Sequence, residues 1–153
     1  MNILQISTTE AGGGAAKVPY ELHLAYQALG HNAMMAVGYR RGKPTEGIFE
    51  IPNDANRGPA ARALYKIPEF LKQRKMRGET FFRSRLVSLA EPRRAQRLRE
   101  GYEDFDFPGT QNLIDLAPHN PEIIHCHNLH GSYFDLHYLA QLSSRVPVIM
   151  TLH

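Results

Sequence analysis

Short apolar runs alternate with longer amphipathic segments along the chain, and this alternation predicts the secondary structure. Apolar runs without a helical period occupy residues 2–7 (NILQIS), 33–37 (AMMAV), 48–51, 122–127 (EIIHCH) and 146–152 (VPVIMTL). Runs of this length indicate strands that are buried on both faces of a sheet. We therefore predict five strands.

Helical spacing is clearest after the first run. Apolar residues there recur at the spacing of one helical face, at Val18, Leu22, Ala25 and Leu29. We expect Pro19 in the first turn, where its missing N–H costs little, and Gly30 at the helix end. Two further helices are predicted. One runs from a capping Thr110 to about residue 116, and the other spans residues 133–142.

Strands that alternate with helices predict an α/β fold, a Rossmann-like, doubly wound parallel sheet. Right-handed crossovers make 3-2-1-4-5 the expected strand order. Residues 53–107 interrupt this pattern, because they are basic, contain several prolines and have no strand signal. We interpret them as an insertion of short helices within one domain. Ligands of such folds bind where the strand order reverses, here between the carboxyl ends of strands one and four.

Three consecutive glycines, Gly12, Gly13 and Gly14, follow the first strand. Glycines before a helix let backbone N–H groups approach an anion, which the helix N-terminus also favours. The spacing matches neither the dinucleotide-binding fingerprint nor the P-loop. The alternative is a tight turn that requires positive φ.

The sequence HCHNLH, residues 125–130, ends the fourth strand. Strand alternation predicts that His125 and His127 share one face and that Cys126 lies on the other. Two histidines at this spacing could ligate a metal, but three or four converging ligands are needed and no carboxylate is nearby. A polar strand end is the simpler interpretation. The fifth strand closes with Thr151-Leu152-His153, which places His153 at the same edge.

Composition narrows the class of protein. The chain has 153 residues, 42% of them apolar, enough for one domain with its own core. It has no apolar stretch of membrane-spanning length, no recognisable signal peptide and a single cysteine, Cys126. These features predict a cytoplasmic protein.

Charge is unevenly distributed. Of the 18 Lys and Arg residues, 13 lie between Arg57 and Arg99. This stretch could contact nucleic acid or an anionic membrane surface, or simply solvate surface helices. No nucleic-acid motif accompanies it, so we expect no nucleic-acid partner. Contact with the inner face of the cell membrane stays open.

Together, NILQIS, AGGGAAKVPYELHLAYQALGH, EDFDFPGTQNLIDLAP, PEIIHCHNLHGSYFDL and VPVIMTLH resemble the N-terminal domain of family 4 glycosyltransferases. These enzymes have the GT-B architecture, two Rossmann-like domains facing each other across a cleft. The likeness is greatest to enzymes of bacterial polysaccharide biosynthesis. It implies a retaining transferase that moves a sugar from a nucleotide sugar to a glycan or lipid-linked acceptor.

The resemblance also implies roles for individual residues. The loop of Gly12, Gly13 and Gly14 would contact the donor diphosphate and sugar, and His153 would contact the transferred sugar as the catalytic residue. The acceptor side would be lined by His127, Asn128 and His130. No metal or other cofactor is expected. Residues 1–153 would form the acceptor-side domain and lack the C-terminal donor-binding domain, so the chain alone is expected to be inactive.

Two alternatives remain beside a transferase. The same fold could serve as a non-catalytic binding module, since fold alone does not fix function. A nucleic-acid-binding protein that uses residues 57–99 is the second. A Rossmann-type epimerase or dehydrogenase is disfavoured, because Gly38, Tyr39 and Arg40 stand where an acidic residue should end strand two.

Overall fold

The protein is built around a sheet of five parallel strands. The computed structural model describes residues 1–64, 89–102 and 105–152. Its strands are β1 (Asn2–Ser7), β2 (Asn32–Val37), β3 (Ile48–Glu50), β4 (Ile123–His127) and β5 (Val148–Thr151). They are arranged in the order β3-β2-β1-β4-β5. The predicted α/β class, the parallel sheet and the strand order are confirmed, and each predicted strand end lies within two residues of the observed one.

Helices accompany the sheet in the described part of the chain. They include α1 (Gly14–Ala28), α2 (Pro92–Arg99), α3 (Leu113–Leu116) and α4 (Leu139–Arg145). Short 3₁₀ helices precede α3 at Pro108–Asn112 and α4 at Leu136–Tyr138. Residues 59–64 and 89–90 are also helical, so the described ends of the predicted insertion contain helix. Of the described helices, none combines the length and the apolarity needed to cross a membrane.

The main hydrophobic core covers one face of the sheet. Alternate residues of the central strands point into it, among them Leu4, Ile6, Ile124 and Cys126. Tyr133 and Phe134, which lie just after β4, fill its centre and are almost completely buried. Burying one such aromatic side chain contributes about 2–3 kcal/mol. This core therefore fixes the end of β4 against the rest of the sheet.

The opposite face of the sheet packs against α1 and is unusually polar. Gln5, His23 and His127 are all fully buried there. A small apolar cluster of Met35, Val37 and Ile48, with Tyr20 packed on it, occupies the β2–β3 side of the same layer. The two faces of the sheet are therefore chemically different, which the sequence alternation of β1 and β4 encodes.

Two predictions for α1 are wrong. The buried positions are Ala16, Pro19 and His23, whereas Val18 is 39% and Leu29 is 72% exposed. The apolar residues of α1 lie on all sides of the helix, so their spacing did not select a face. Since α1 begins at Gly14, Pro19 is its sixth residue and lies beyond the first turn.

The predicted helices in the second half also differ from the observed ones. Thr110 lies inside the 3₁₀ helix and does not cap it, and its hydroxyl instead accepts a hydrogen bond of 2.9 Å from the amide of Asp135. The predicted helix over residues 133–142 begins only at Leu136. Phe134 is drawn into the core before the helix starts, because its burial outweighs the local preference for helix.

Candidate functional site

The glycine loop lies at the reversal of strand order. β1 pairs with β2 on one side and β4 on the other, so the carboxyl ends of β1 and β4 are adjacent. Gly12 has φ of +142°, a conformation that favours glycine. Gly13 is the N-cap of α1, with φ of −69°, and Gly14 is its first residue. The positive-φ requirement therefore accounts for only one of the three glycines.

The N-terminus of α1 is uncapped by any side chain. Its N-cap makes no side-chain hydrogen bond, and its first turn contains no acidic residue. The amides of Ala16 and Lys17 both donate to the carbonyl of Gly13, at 3.0 and 3.2 Å. Those of Gly14 and Ala15 have no acceptor within the helix. The helix therefore presents N–H groups and the positive end of its dipole to whatever lies in front of it.

A pocket of about 280 Å³ opens at this helix end. It is lined by residues 7–9, residues 13–16, Asn128 and His130. The structure thus brings together Gly13, Gly14, Asn128 and His130, four of the residues that the sequence singled out. Gly12 lines a different pocket, on the other side of the loop.

Asn128 joins three elements at this pocket. Its side-chain amide donates to the carbonyl of Ala15 in α1 at 3.2 Å, and its own carbonyl accepts from the hydroxyls of Thr8 at 2.9 Å and Tyr133 at 3.1 Å. Its φ is +45°, in the left-handed region that asparagine tolerates better than most residues. Asn128 therefore fixes where α1 begins relative to the ends of β1 and β4.

His127 lies beneath the pocket and does not line it. Its side chain is fully buried, its ring centroid lies 3.9 Å from that of His125, and its Nε2 is 3.4 Å from the amide nitrogen of Gln5. His125 hydrogen-bonds with the Tyr26 hydroxyl at 3.2 Å and the Thr151 hydroxyl at 2.8 Å. The two histidines share one face, as predicted. The acceptor-side role of His127 stays a prediction.

Two features bear on metal and thiol chemistry in the described part of the chain. Within residues 1–64, 89–102 and 105–152, no group of three or more His, Cys, Asp or Glu side chains is arranged to hold a metal ion. Burial raises the pKa of the Cys126 thiol to about 12, so this side chain stays protonated at neutral pH. It is therefore a poor nucleophile and a poor metal ligand.

Glu10 was missed by the sequence reasoning. Its Oε1 accepts the backbone amides of Gly42 at 2.7 Å and Arg41 at 3.0 Å, which joins the glycine loop to the β2–β3 loop. Burial raises the pKa of Glu10, but hydrogen bonds from its own amide, those of Gly42 and Arg41, and the Thr9 hydroxyl outweigh burial and lower it. The polar run Thr8-Thr9-Glu10, directly after a buried strand, was the available signal.

Several charges of the basic stretch are engaged inside the protein. The side chain of Arg57 is 3% exposed and pairs with Glu91 at 2.8 Å and with Asp54 at 3.2 Å. Arg94 also pairs with Glu91, and Arg97 pairs with Asp106 at 2.7 Å. Of the six basic residues of this stretch that the structure describes, these three are therefore already used for structure.

His153, predicted as the catalytic residue, lies outside the described residues, as do residues 65–88 of the basic stretch. Comparison of the chain with protein-family models, with curated proteins and with solved structures found no match.

Proposed function

We propose that this chain is the acceptor-side domain of a retaining glycosyltransferase of GT-B architecture, similar to family 4. The full enzyme would transfer a sugar from a nucleotide sugar to a glycan or lipid-linked acceptor. One observation carries the proposal. The uncapped, glycine-rich N-terminus of α1 opens on a pocket that also contains Asn128 and His130, at the reversal of strand order.

Sugar transfer from a nucleotide sugar is favoured by hydrogen-bond donors that stabilise negative charge. Breaking the bond between a sugar and a nucleoside diphosphate leaves negative charge on the departing phosphate. Backbone amides that are already aimed at that position stabilise the charge without reorganisation, and one such donor is worth about 100-fold or more in rate. The amides of Gly14 and Ala15 are the candidates, since the helix itself cannot satisfy them.

The other residues take roles that follow from their positions. Asn128 positions α1 through its hydrogen bond to Ala15, and the exposed His130 lines the same pocket, where it could contact an acceptor. By resemblance, His153 contacts the transferred sugar. No metal is assigned a role, and a donor-binding domain would supply the contacts to the nucleotide.

A binding experiment tests the anion site directly. We expect inorganic pyrophosphate and uridine diphosphate, titrated into the ¹⁵N-labelled chain, to shift the amide resonances of residues 13–16. Gly13→Val should weaken this binding by about tenfold or more, a loss of about 1.4 kcal/mol. A Cβ at Gly13 meets none of the described atoms within 4 Å, so the added side chain projects into free space at the site.

Gly58→Val is the matched control. Gly58 also precedes a helical segment, also has none of the described atoms within 4 Å of an added Cβ, and lies far from the pocket in sequence. If both variants bind pyrophosphate equally well, the glycine loop is a turn and the proposal loses its support.

Transfer is tested with a protein that carries this domain and a donor-binding domain. Incubation with a panel of nucleotide sugars should give a glycoside with retained anomeric configuration, whereas the chain alone should fold without turnover. Nucleotide binding without transfer in the complete protein would indicate a non-catalytic module. Salt-dependent binding of nucleic acid instead would favour the basic stretch as the functional surface.

A further inference from the structure

A second pocket lies on the other side of the glycine loop, between α1 and the loop that joins β2 to β3. Its volume is about 630 Å³, more than twice that of the pocket at the N-terminus of α1, called the anion pocket below. From the α1 side it is lined by Gly12, Lys17 and Tyr20, and from the loop side by Lys43, Pro44 and Thr45. Nothing in the sequence pattern pointed to this pocket.

The walls of this pocket are fixed in place. Glu10 bonds the amides of Arg41 and Gly42, so the β2–β3 loop is held against the glycine loop. On the other wall, Tyr20 packs on the buried cluster that includes Met35 and Ile48. The pocket is therefore a feature of the folded domain and needs no ligand to form its sides.

Two basic side chains and one acidic side chain line the described part of this pocket. Lys17 and Lys43 contribute ammonium groups, whereas the Glu10 carboxylate, whose pKa is, despite burial, lowered by its hydrogen bonds, stays charged and faces two backbone amides of the β2–β3 loop. Lys17 pairs with Glu21 at 3.4 Å, but both side chains are more than 60% exposed, so this pair contributes little. The pocket thus combines an apolar interior with two ammonium groups.

We propose that this pocket binds the alkyl part of an anionic amphiphile, with its phosphate placed between Lys17 and Lys43. An apolar interior favours a hydrocarbon chain, and the ammonium groups favour a phosphate over a neutral headgroup. Since Gly12 lines this pocket and Gly13 lines the anion pocket, the phosphate would lie next to the glycine loop. The identification of this ligand as the acceptor rests on the proposed function. The binding of the ligand to the pocket does not depend on that function.

The probe is octyl phosphate below its micellar concentration, titrated into the ¹⁵N-labelled chain. We expect shifts at residues 17, 20 and 42–45, and an affinity at least about tenfold above those for inorganic phosphate and octyl glucoside. Equal affinity for inorganic phosphate would reduce the pocket to an anion site, and equal affinity for octyl glucoside would remove the role of the lysines. Either result overturns the proposal.

The double variant Lys17→Gln/Lys43→Gln should weaken octyl phosphate binding by about tenfold. Arg99→Gln, which removes one exposed charge at the end of α2, should not change it. A matching thermal transition for each variant shows that the fold is intact. Octyl phosphate binding without pyrophosphate binding at residues 13–16 would keep this inference and reject the proposed function. Pyrophosphate binding at residues 13–16 without octyl phosphate binding would keep the proposed function and reject this inference.

Discussion

The side-chain amide of Asn128 takes the place of a backbone hydrogen bond that Pro19 cannot make. In a regular helix the amide of residue 19 would donate to the carbonyl of Ala15. Proline has no such amide, and the Asn128 nitrogen, 3.2 Å from that carbonyl, donates in its place. The end of β4 is thereby attached to the first turn of α1.

This relationship predicts a coupling between the two residues. Asn128→Ala should lower the free energy of unfolding by about 1 kcal/mol, since it removes one hydrogen bond and places alanine at a φ of +45°, which asparagine tolerates better. In a Pro19→Ala background the loss should be smaller by about 0.5 kcal/mol or more, because the alanine that replaces Pro19 donates its own amide to the carbonyl of Ala15. Urea denaturation of the four proteins measures the coupling. Strictly additive effects would show that the Asn128 bond does not replace the missing one.

Gly13 offers a test that separates stability from binding. Gly13→Asp should raise the free energy of unfolding by about 0.5 kcal/mol, because an acidic N-cap both bonds the free amides and matches the helix dipole. The same substitution should abolish pyrophosphate binding at residues 13–16. Gly13→Asn, a cap of the same shape without the charge, should stabilise similarly and impair binding less. Unchanged pyrophosphate affinity in the Asp variant would mean that the anion binds elsewhere.

His23 predicts a pH dependence of stability. Its side chain is fully buried, neither ring nitrogen has a hydrogen-bond partner in the described structure, and burial lowers its pKa from the ordinary value of 6.5. The folded protein therefore disfavours the charged ring more than the unfolded chain does. The contribution of His23 to stability should be complete above pH 6.5 and should decline as the pH falls below it.

His23→Leu should remove this part of the pH dependence and stabilise the protein by about 1 kcal/mol or more, because no unpaired nitrogen is left buried at this position. Thermal unfolding at about pH 7.5 and about pH 5, on either side of the ordinary histidine pKa, measures both effects. His119→Gln, at an exposed position, serves as the control and should follow the unmodified protein. A His23→Leu profile parallel to that of the unmodified protein would exclude His23 as the source.

Arg57 tests whether the basic stretch is structural where it is described. Arg57→Met should lower the free energy of unfolding by about 2 kcal/mol, since it removes the nearer of the two arginines that the partly buried Glu91 faces and leaves Arg94 at 3.4 Å. Arg93→Met, an exposed control on α2, should change it by less than about 0.5 kcal/mol. If the two variants are equally stable, the Arg57 pair is not part of the folding energetics. Co-sedimentation with anionic vesicles remains the separate test for residues 57–99 as a membrane surface.

The sequence by itself determined the sheet and the place of the site. The run at residues 33–37 is apolar on both faces and residues 2–7 show no helical period, which is typical of interior parallel strands, and right-handed crossovers then favour the observed strand order. The glycines after β1 and the polar residues after β4 follow strand ends, so their meeting at the switch point follows from topology. These are consequences of local pattern and chain connectivity.

Only the tertiary structure decided which side chains face the pocket at the N-terminus of α1. His127 is buried on the α1-facing side of the sheet, where its ring contacts the Gln5 amide and the His125 ring. On the same side of the sheet α1 buries His23, whereas Leu29, directly after the last residue of α1, stays exposed. The Asn128 side chain donates to the carbonyl of Ala15, 113 residues away in sequence, because Pro19 has no amide to donate to that carbonyl. Such pairings depend on long-range packing, which no local spacing of apolar residues encodes.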